Sequence, residues 1–157
     1  MSFLDEIHPP SVTNGANVDS LRHEANAKLD PKMKGAMWQF MTPYKIAEFI
    51  ADLFTRKMDA VLLDAGAGIG SLTLAASDAL RLKRAEVWEL DPVMVSYLSR
   101  NLERMGVPYE LHQKDFILDS VDRIQFDLGT RFTHAILNPP YKKIASNSVH
   151  RQACRQL

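Results

Sequence analysis

The sequence predicts an α/β fold in which a parallel sheet is flanked by helices. Short apolar segments typical of buried strands alternate along the chain with segments of helical periodicity. Strands that alternate with helices are joined by right-handed crossovers and therefore run parallel. Glycine, acidic or asparagine residues stand where four of these strands end. Because ligands bind beyond the carboxyl ends of such strands, we expect the functional residues there.

Composition excludes several classes of protein. The chain has 157 residues, of which 46% are apolar and 24% charged, the balance of a globular domain. No apolar run approaches the roughly 18 residues that span a bilayer, so no membrane partner is expected. A single cysteine, Cys154, excludes a disulfide framework and a cysteine-rich zinc site, and no metal is expected. Asp5, Glu6 and Pro9 are unlike a signal peptide, which predicts a cytoplasmic location.

Two regions are predicted: an N-terminal arm over residues 1–35 and a domain over residues 36–157. The arm is polar and interrupted by proline and glycine, with one short helix predicted at Leu21–Leu29. Charge is also uneven. Residues 1–30 carry five acids against two bases, and residues 128–157 carry five bases and no acid. A basic end favours contact with a polyanion, although a solvated helix face explains it equally well.

The domain begins with a helix, a strand and a second helix. Thr42 is the predicted N-cap, with Pro43 at the first helical position. A strand over Ala60–Asp64 and a helix over Ser71–Leu82 follow. Apolar residues at helical spacing predict a packed face on the first helix: Ile46, Phe49, Ile50, Leu53 and Phe54.

Three further strands and one helix complete the predicted order. The second strand is Ala85–Leu90, and Asp91 caps a helix that ends at Gly106. The third and fourth strands are Tyr109–His112 and Thr133–Leu137.

A glycine-rich segment follows the first strand. Gly66, Gly68 and Gly70 allow positive φ and a close approach of a ligand to the backbone. Their spacing differs from the dinucleotide fingerprint, and no Lys-Ser/Thr pair of a phosphate-binding loop follows them. The pattern fits S-adenosylmethionine, which has no phosphate.

Acidic residues follow the next two strands. Glu89 stands where a carboxylate can accept hydrogen bonds from both hydroxyls of a ribose. Asp115 can accept from an adenine amino group, with Phe116 against the ring. Taken with Asp64, these acids at three consecutive strand ends predict a binding cleft.

The motif Asn138-Pro139-Pro140-Tyr141 follows the fourth strand. The prolines fix their own φ angles and hold Asn138 extended, so its amide and the neighbouring carbonyl point to one place. Tyr141 adds an aromatic plane. This corner can accept two hydrogen bonds from a planar amino group and stack the ring that carries it.

With these motifs the sequence resembles the class I S-adenosylmethionine-dependent methyltransferases, which have a Rossmann-like fold. Among them it is similar to the amino-methyltransferases with an Asn-Pro-Pro-Tyr motif. Phe40-Met41-Thr42-Pro43 precedes the glycine segment, and the Asn138–Tyr141 motif follows it. This order resembles the γ class of adenine-N6 DNA methyltransferases of bacterial restriction–modification systems.

The resemblance implies a role for each candidate residue. Thr42 and Pro43 would hold the carboxylate of the cofactor, and Glu89 its ribose. Asp115 and Phe116 would bind its adenine. The segment that binds the methionine part would comprise Asp64, Gly66, Ala67 and Gly68, and Leu90 completes the cofactor set.

The resemblance also implies a mechanism. Asn138 Oδ1 and the Pro139 carbonyl would accept hydrogen bonds from the two N6–H groups of a flipped-out adenine in double-stranded DNA, and Tyr141 would stack on its ring. Only four of the seven strands of such a sheet can be identified, which predicts that a second chain or a missing C-terminal half completes it. Two alternatives stay open: a protein-glutamine or RNA amino-methyltransferase, and a non-catalytic remnant that only binds cofactor.

Overall fold

The computed structural model describes residues 15–29, 41–55, 58–139 and 143–157. The described helices are α1 Gly15–Lys28, α2 Tyr44–Asp52, α3 Ser71–Ala79, α4 Pro92–Met105, α5 Phe116–Gln125 and α6 Val149–Cys154. The described strands are β1 Ala60–Ala65, β2 Leu82–Trp88, β3 Tyr109–His112 and β4 His134–Ala135.

The four strands form one parallel sheet in the order β3-β2-β1-β4. Leu63 of β1 aligns with Glu86 of β2 on one side and with Ala135 of β4 on the other. The chain moves outward from β1 to β3 and then returns to the opposite side of β1. This reversal opens a crevice at the carboxyl end of β1, where ligands bind in sheets of this type. The predicted fold class is confirmed.

Helix α3 lies at the centre of the core. Six of its nine residues are buried, including Leu72 and Leu74. It packs against β1 and β2 and lies between α2 and α4. Leu98 and Leu102 of α4 are completely buried beside it. This packing holds the N-terminus of α3 rigidly at the crevice.

Helix α1 is longer than the predicted Leu21–Leu29 helix, because tertiary contacts stabilise it. Val18 and Ala25 are buried, and Asp19 Oδ1 accepts a hydrogen bond of 3.1 Å from the N–H of Tyr44. A Cβ on Gly15 would lie 2.5 Å from the Tyr44 ring, so this close approach requires glycine. The predicted boundary between residues 35 and 36 lies outside the described residues.

Helix α2 differs from the prediction in its cap and in its packed face. Pro43, and not Thr42, occupies the N-cap position. The buried face consists of Tyr44, Ala47 and Ala51, because the small alanines allow close packing on α3. Three residues of the predicted packed face are more than half exposed: Ile46, Phe49 and Leu53.

Two strand boundaries and two helices also differ from the prediction. Helix α3 ends at Ala79 because Leu80 takes extended backbone angles, and β2 accordingly begins at Leu82. Strand β4 is limited to His134–Ala135, although the flanking N–H groups still donate to β1 carbonyls. Helices α5 and α6 have no counterpart in the sequence-based prediction. No described helix combines the length and apolarity needed to cross a bilayer.

Candidate functional site

A cavity of about 450 Å³ lies at the carboxyl ends of the strands. Its volume is within the range of small-molecule sites, which is roughly 300–1,000 Å³. Its lining comes mainly from the loops after β1, β2, β3 and β4, from the segment that precedes α2 and from the start of α3. The sequence-predicted candidates on this lining are Thr42, Gly66, Ala67, Gly68, Glu89, Leu90, Asp115, Phe116, Asn138 and Pro139.

Two candidate residues lie elsewhere, and two fall outside the described residues. Asp64 is fully buried and Pro43 caps α2, and neither lines the cavity. Pro140 and Tyr141 lie outside the described residues. The predicted stacking role of Tyr141 therefore stays a prediction.

Several lining residues were not predicted, among them Ser71, Trp88 and Lys114. Trp88 is the last residue of β2, and its ring packs edge-on against Phe116 at 5.3 Å. Lys114 directly precedes Asp115 and pairs with Asp119 at 2.7 Å. Their positions next to predicted candidates were the available signal, because neighbours of a strand end share its loop.

The glycine loop is fixed to the end of β2 by backbone hydrogen bonds. Gly66 and Ala67 donate their N–H groups to the Trp88 carbonyl at 2.8 and 2.9 Å. Gly66 and Gly68 have φ angles of +81° and +59°, which disfavour any side chain. The loop thus presents bare backbone to the cavity, as close contact with a ligand requires.

Glu89 connects the glycine loop to the start of α4. Its Oε2 accepts from the Gly68 N–H at 2.8 Å, and its Oε1 accepts from the Asp91 N–H at 2.9 Å. Burial raises the pKa of this carboxyl, while the backbone donors oppose the shift. Asp91 caps α4 as predicted, because its Oδ1 accepts from the N–H groups of Val93 and Met94.

Asp64 supports the loop from within the core. Its Oδ2 accepts a short hydrogen bond of 2.6 Å from Thr73 Oγ1, and its Oδ1 has no partner among the described residues. Burial, reinforced by the nearby charge of Glu89, raises the pKa of Asp64 to about 7. The carboxyl therefore titrates near neutral pH.

Asp115 is the N-cap of α5, and not the end of a strand. Strand β3 ends at His112, and Asp115 Oδ1 accepts from the Leu118 N–H at 3.1 Å. Its Oδ2 lies 2.8 Å from Nε2 of His150, which belongs to α6. Two elements that were not predicted thus position this carboxylate at the cavity.

Asn138 and Thr42 meet across the cavity, although 96 positions separate them in the sequence. The Asn138 amide donates from Nδ2 to Thr42 Oγ1 at 3.1 Å. Thr42, which does not cap α2, therefore contacts the side-chain amide of Asn138, the candidate catalytic residue. This bond links the end of β4 to the segment that precedes α2.

Potential metal ligands cluster elsewhere, at the β2–β3 edge. Single ligand atoms of Glu86, Glu110 and His112 lie within 4.8 Å of one another. Arg84 and Arg123 form ion pairs with Glu86. Burial and the charge of Arg123 lower the pKa of His112. The arginines already neutralise the acidic charge of this cluster.

Comparison with curated proteins finds two type II methyltransferases, whereas no family model matches the chain. The chain is 38% identical over 156 residues to M.BsuBI of Bacillus subtilis, which covers 88% of this chain and 31% of that protein. It is 34% identical over 150 residues to M.PstI of Providencia stuartii, covering 85% of this chain and 30% of that protein. The chain thus spans about a third of the length of these relatives.

Solved structures of methyltransferases have the same architecture. Protein PH1948 of Pyrococcus horikoshii, which is assigned as an RNA methyltransferase, matches with a TM-score of 0.54 at 23% identity over 80% of this chain and 59% of its own. The O-methyltransferase of Bacillus cereus, solved with SAH, matches with a TM-score of 0.54 at 17% identity over 86% of this chain and 57% of its own.

The chain has the fold of the class I S-adenosylmethionine-dependent methyltransferases. Its sequence resembles the type II methyltransferases, as the motifs predicted. The comparisons indicate S-adenosylmethionine as the cofactor, in agreement with the prediction from the glycine segment. The γ class and the adenine-N6 specificity stay predictions.

Proposed function

We propose that this chain is the cofactor-binding and catalytic part of a DNA methyltransferase that methylates N6 of adenine. One observation carries the proposal. A single cavity joins the glycine loop, Glu89 and the Asn138-Pro139 corner. The names of the two relatives support a type II methyltransferase, and the Asn-Pro-Pro-Tyr motif favours an amino group as the acceptor.

The cavity residues fit the proposed cofactor. Gly66 and Gly68 leave space for its amino-acid part, because neither carries a side chain. Glu89 would accept from the ribose hydroxyls, since a carboxylate has about four acceptor sites and two are used by backbone N–H groups. The apolar ring of Phe116 and the carboxylate of Asp115 would bind the adenine.

The chemistry is assigned to the Asn138-Pro139 corner. When bound, S-adenosylmethionine supplies an electrophilic methyl group on its sulfonium. The N6 lone pair of adenine is delocalised into the ring and is a poor nucleophile. The Asn138 amide oxygen and the Pro139 carbonyl would accept hydrogen bonds from both N6–H groups. These bonds would stabilise the adenine as positive charge develops on its amino group. Such preorganised acceptors act mainly in the transition state.

A further polypeptide is proposed to complete the sheet. Strand β4 pairs with β1 alone among the described strands. Apolar side chains are exposed on α2, and the ring of Phe54, two residues after this helix, lies 5.2 Å from the ring of His134 in β4. The relatives are about three times as long as the matched part. A strand on the β4 edge and a helix on α2 would bury this surface.

Co-purification tests the completed sheet. The part of M.BsuBI beyond the matched region should bind this chain when the two are co-expressed. Phe49→Glu should abolish the complex, because it places a charge in the proposed interface. The variant chain itself should still fold, since Phe49 is 64% exposed on α2 and contributes little to the fold of the chain alone. Lys45→Glu, on the same helix, is the matched control. Equal recovery with both variants would contradict this interface.

Methyl transfer tests the reaction. A chimera in which this chain replaces the matched part of M.BsuBI should transfer tritiated methyl groups to double-stranded DNA, and nucleoside analysis should recover N6-methyl-2′-deoxyadenosine. Asn138→Ala in the chimera is the control for chemistry. Label on a protein glutamine or on RNA alone would promote the first alternative. Cofactor binding without any transfer would promote the non-catalytic remnant.

A further inference from the structure

The hydroxyl of Ser71 is a buried polar group without a hydrogen-bond partner among the described residues. Ser71 is only 4% exposed, and it lines the cavity. A buried hydroxyl without a partner costs stability, so native structures rarely retain one without a reason. Its position on the cavity wall suggests that the partner belongs to a ligand.

The surroundings of Ser71 favour an anionic ligand group. Ser71 is the first residue of α3, and the N-cap, Gly70, offers no side chain to the N–H groups of the first turn, of which that of Thr73 donates to the buried Asp64 carboxylate. The N-terminus of a helix carries partial positive charge and binds anions. A hydroxyl donor at this position adds a directed hydrogen bond.

We infer that Ser71 and the N-terminus of α3 bind the carboxylate of the amino-acid part of the cofactor. The inference rests on the proposed cofactor, in which this carboxylate is the anionic group. It adds Ser71 to Thr42 and Pro43, for which the family resemblance implied this role. Thr42 Oγ1 accepts a hydrogen bond from the Asn138 amide and keeps its O–H as a donor, whereas Ser71 Oγ has no partner among the described side chains.

Ligands with and without the carboxylate test this assignment. The Ser71→Ala variant of the chain should bind S-adenosylhomocysteine about tenfold to hundredfold more weakly in titration calorimetry, because a charge-assisted hydrogen bond is lost. It should bind 5′-methylthioadenosine, which lacks the carboxylate, as the wild type does. Ser96→Ala is the matched control, since Ser96 Oγ is exposed on α4 and donates to the Val93 carbonyl.

A thermal unfolding measurement separates binding from folding. Without ligand, Ser71→Ala should melt no lower than the wild type, because the substitution removes an unpartnered hydroxyl and leaves no group newly unpaired. Equal weakening of both ligands, or an unchanged affinity for S-adenosylhomocysteine, would overturn the carboxylate assignment alone. A wild-type chain that binds neither ligand would overturn the proposed cofactor site together with this inference.

Discussion

Replacement of Glu89 by alanine should disrupt both the loop and cofactor binding. The side chain is 4% exposed and accepts from two backbone N–H groups, those of Gly68 and Asp91. Alanine leaves both donors without a protein acceptor, at about 1–3 kcal/mol each. For a chain of this size, that loss lowers the melting temperature by at least about 5 °C.

The larger effect of the same substitution is expected on the cofactor. Two charge-assisted bonds to the ribose, at about 1.5–3 kcal/mol each, correspond to a loss of affinity of about 10²- to 10⁴-fold. Titration calorimetry with S-adenosylhomocysteine measures it below the melting temperature of the variant. Glu103→Ala removes an exposed acid from α4 and should change neither quantity. Wild-type affinity in Glu89→Ala would refute the assignment of the ribose to Glu89.

Three further predictions concern charge and chemistry. Because burial raises the pKa of Asp64 to about 7, the folded state binds a proton that the unfolded chain releases near pH 4. The free energy of unfolding of the wild type should therefore fall between about pH 4 and 7, and urea titrations should show a smaller fall in Asp64→Asn. In the chimera, Asn138→Ala should slow methyl transfer by about a hundredfold to a thousandfold. Calorimetry should find the affinity for S-adenosylhomocysteine nearly unchanged, because Asn138 is assigned to the substrate and not to the cofactor. A parallel loss of cofactor affinity would contradict that assignment. Tyr141→Ala should weaken DNA binding in the chimera and Tyr141→Phe should not, since the ring is used and not the hydroxyl; equal effects in fluorescence anisotropy would exclude stacking.

Local chemistry made much of the site predictable from the sequence. The carboxyl ends of parallel strands meet at one edge, so Gly66, Glu89 and Asn138 could be placed together without coordinates. The cap at Asp91 was equally readable, because an acid before a proline satisfies the first N–H groups of a helix.

The remaining features depend on tertiary packing. The pattern of α2 favours its large apolar residues as the packed face, but α3 lies so close that Ala47 and Ala51 face it instead. The sequence favoured Asp115 as a strand end or a turn residue, and only the position of α5 shows that it caps a helix. The unpartnered hydroxyl of Ser71 is visible only when every neighbouring donor and acceptor has been placed.

The most direct test of the account is ligand binding by the unmodified 157-residue chain. Titration calorimetry should show that S-adenosylmethionine and S-adenosylhomocysteine bind at one site, and that NAD, added to the complex, displaces neither. The glycine loop and Glu89 support this result. The loop presents bare backbone to the amino-acid part of the cofactor, and Glu89 has acceptor sites left for its ribose. Binding of NAD in preference to both ligands would contradict the central claim.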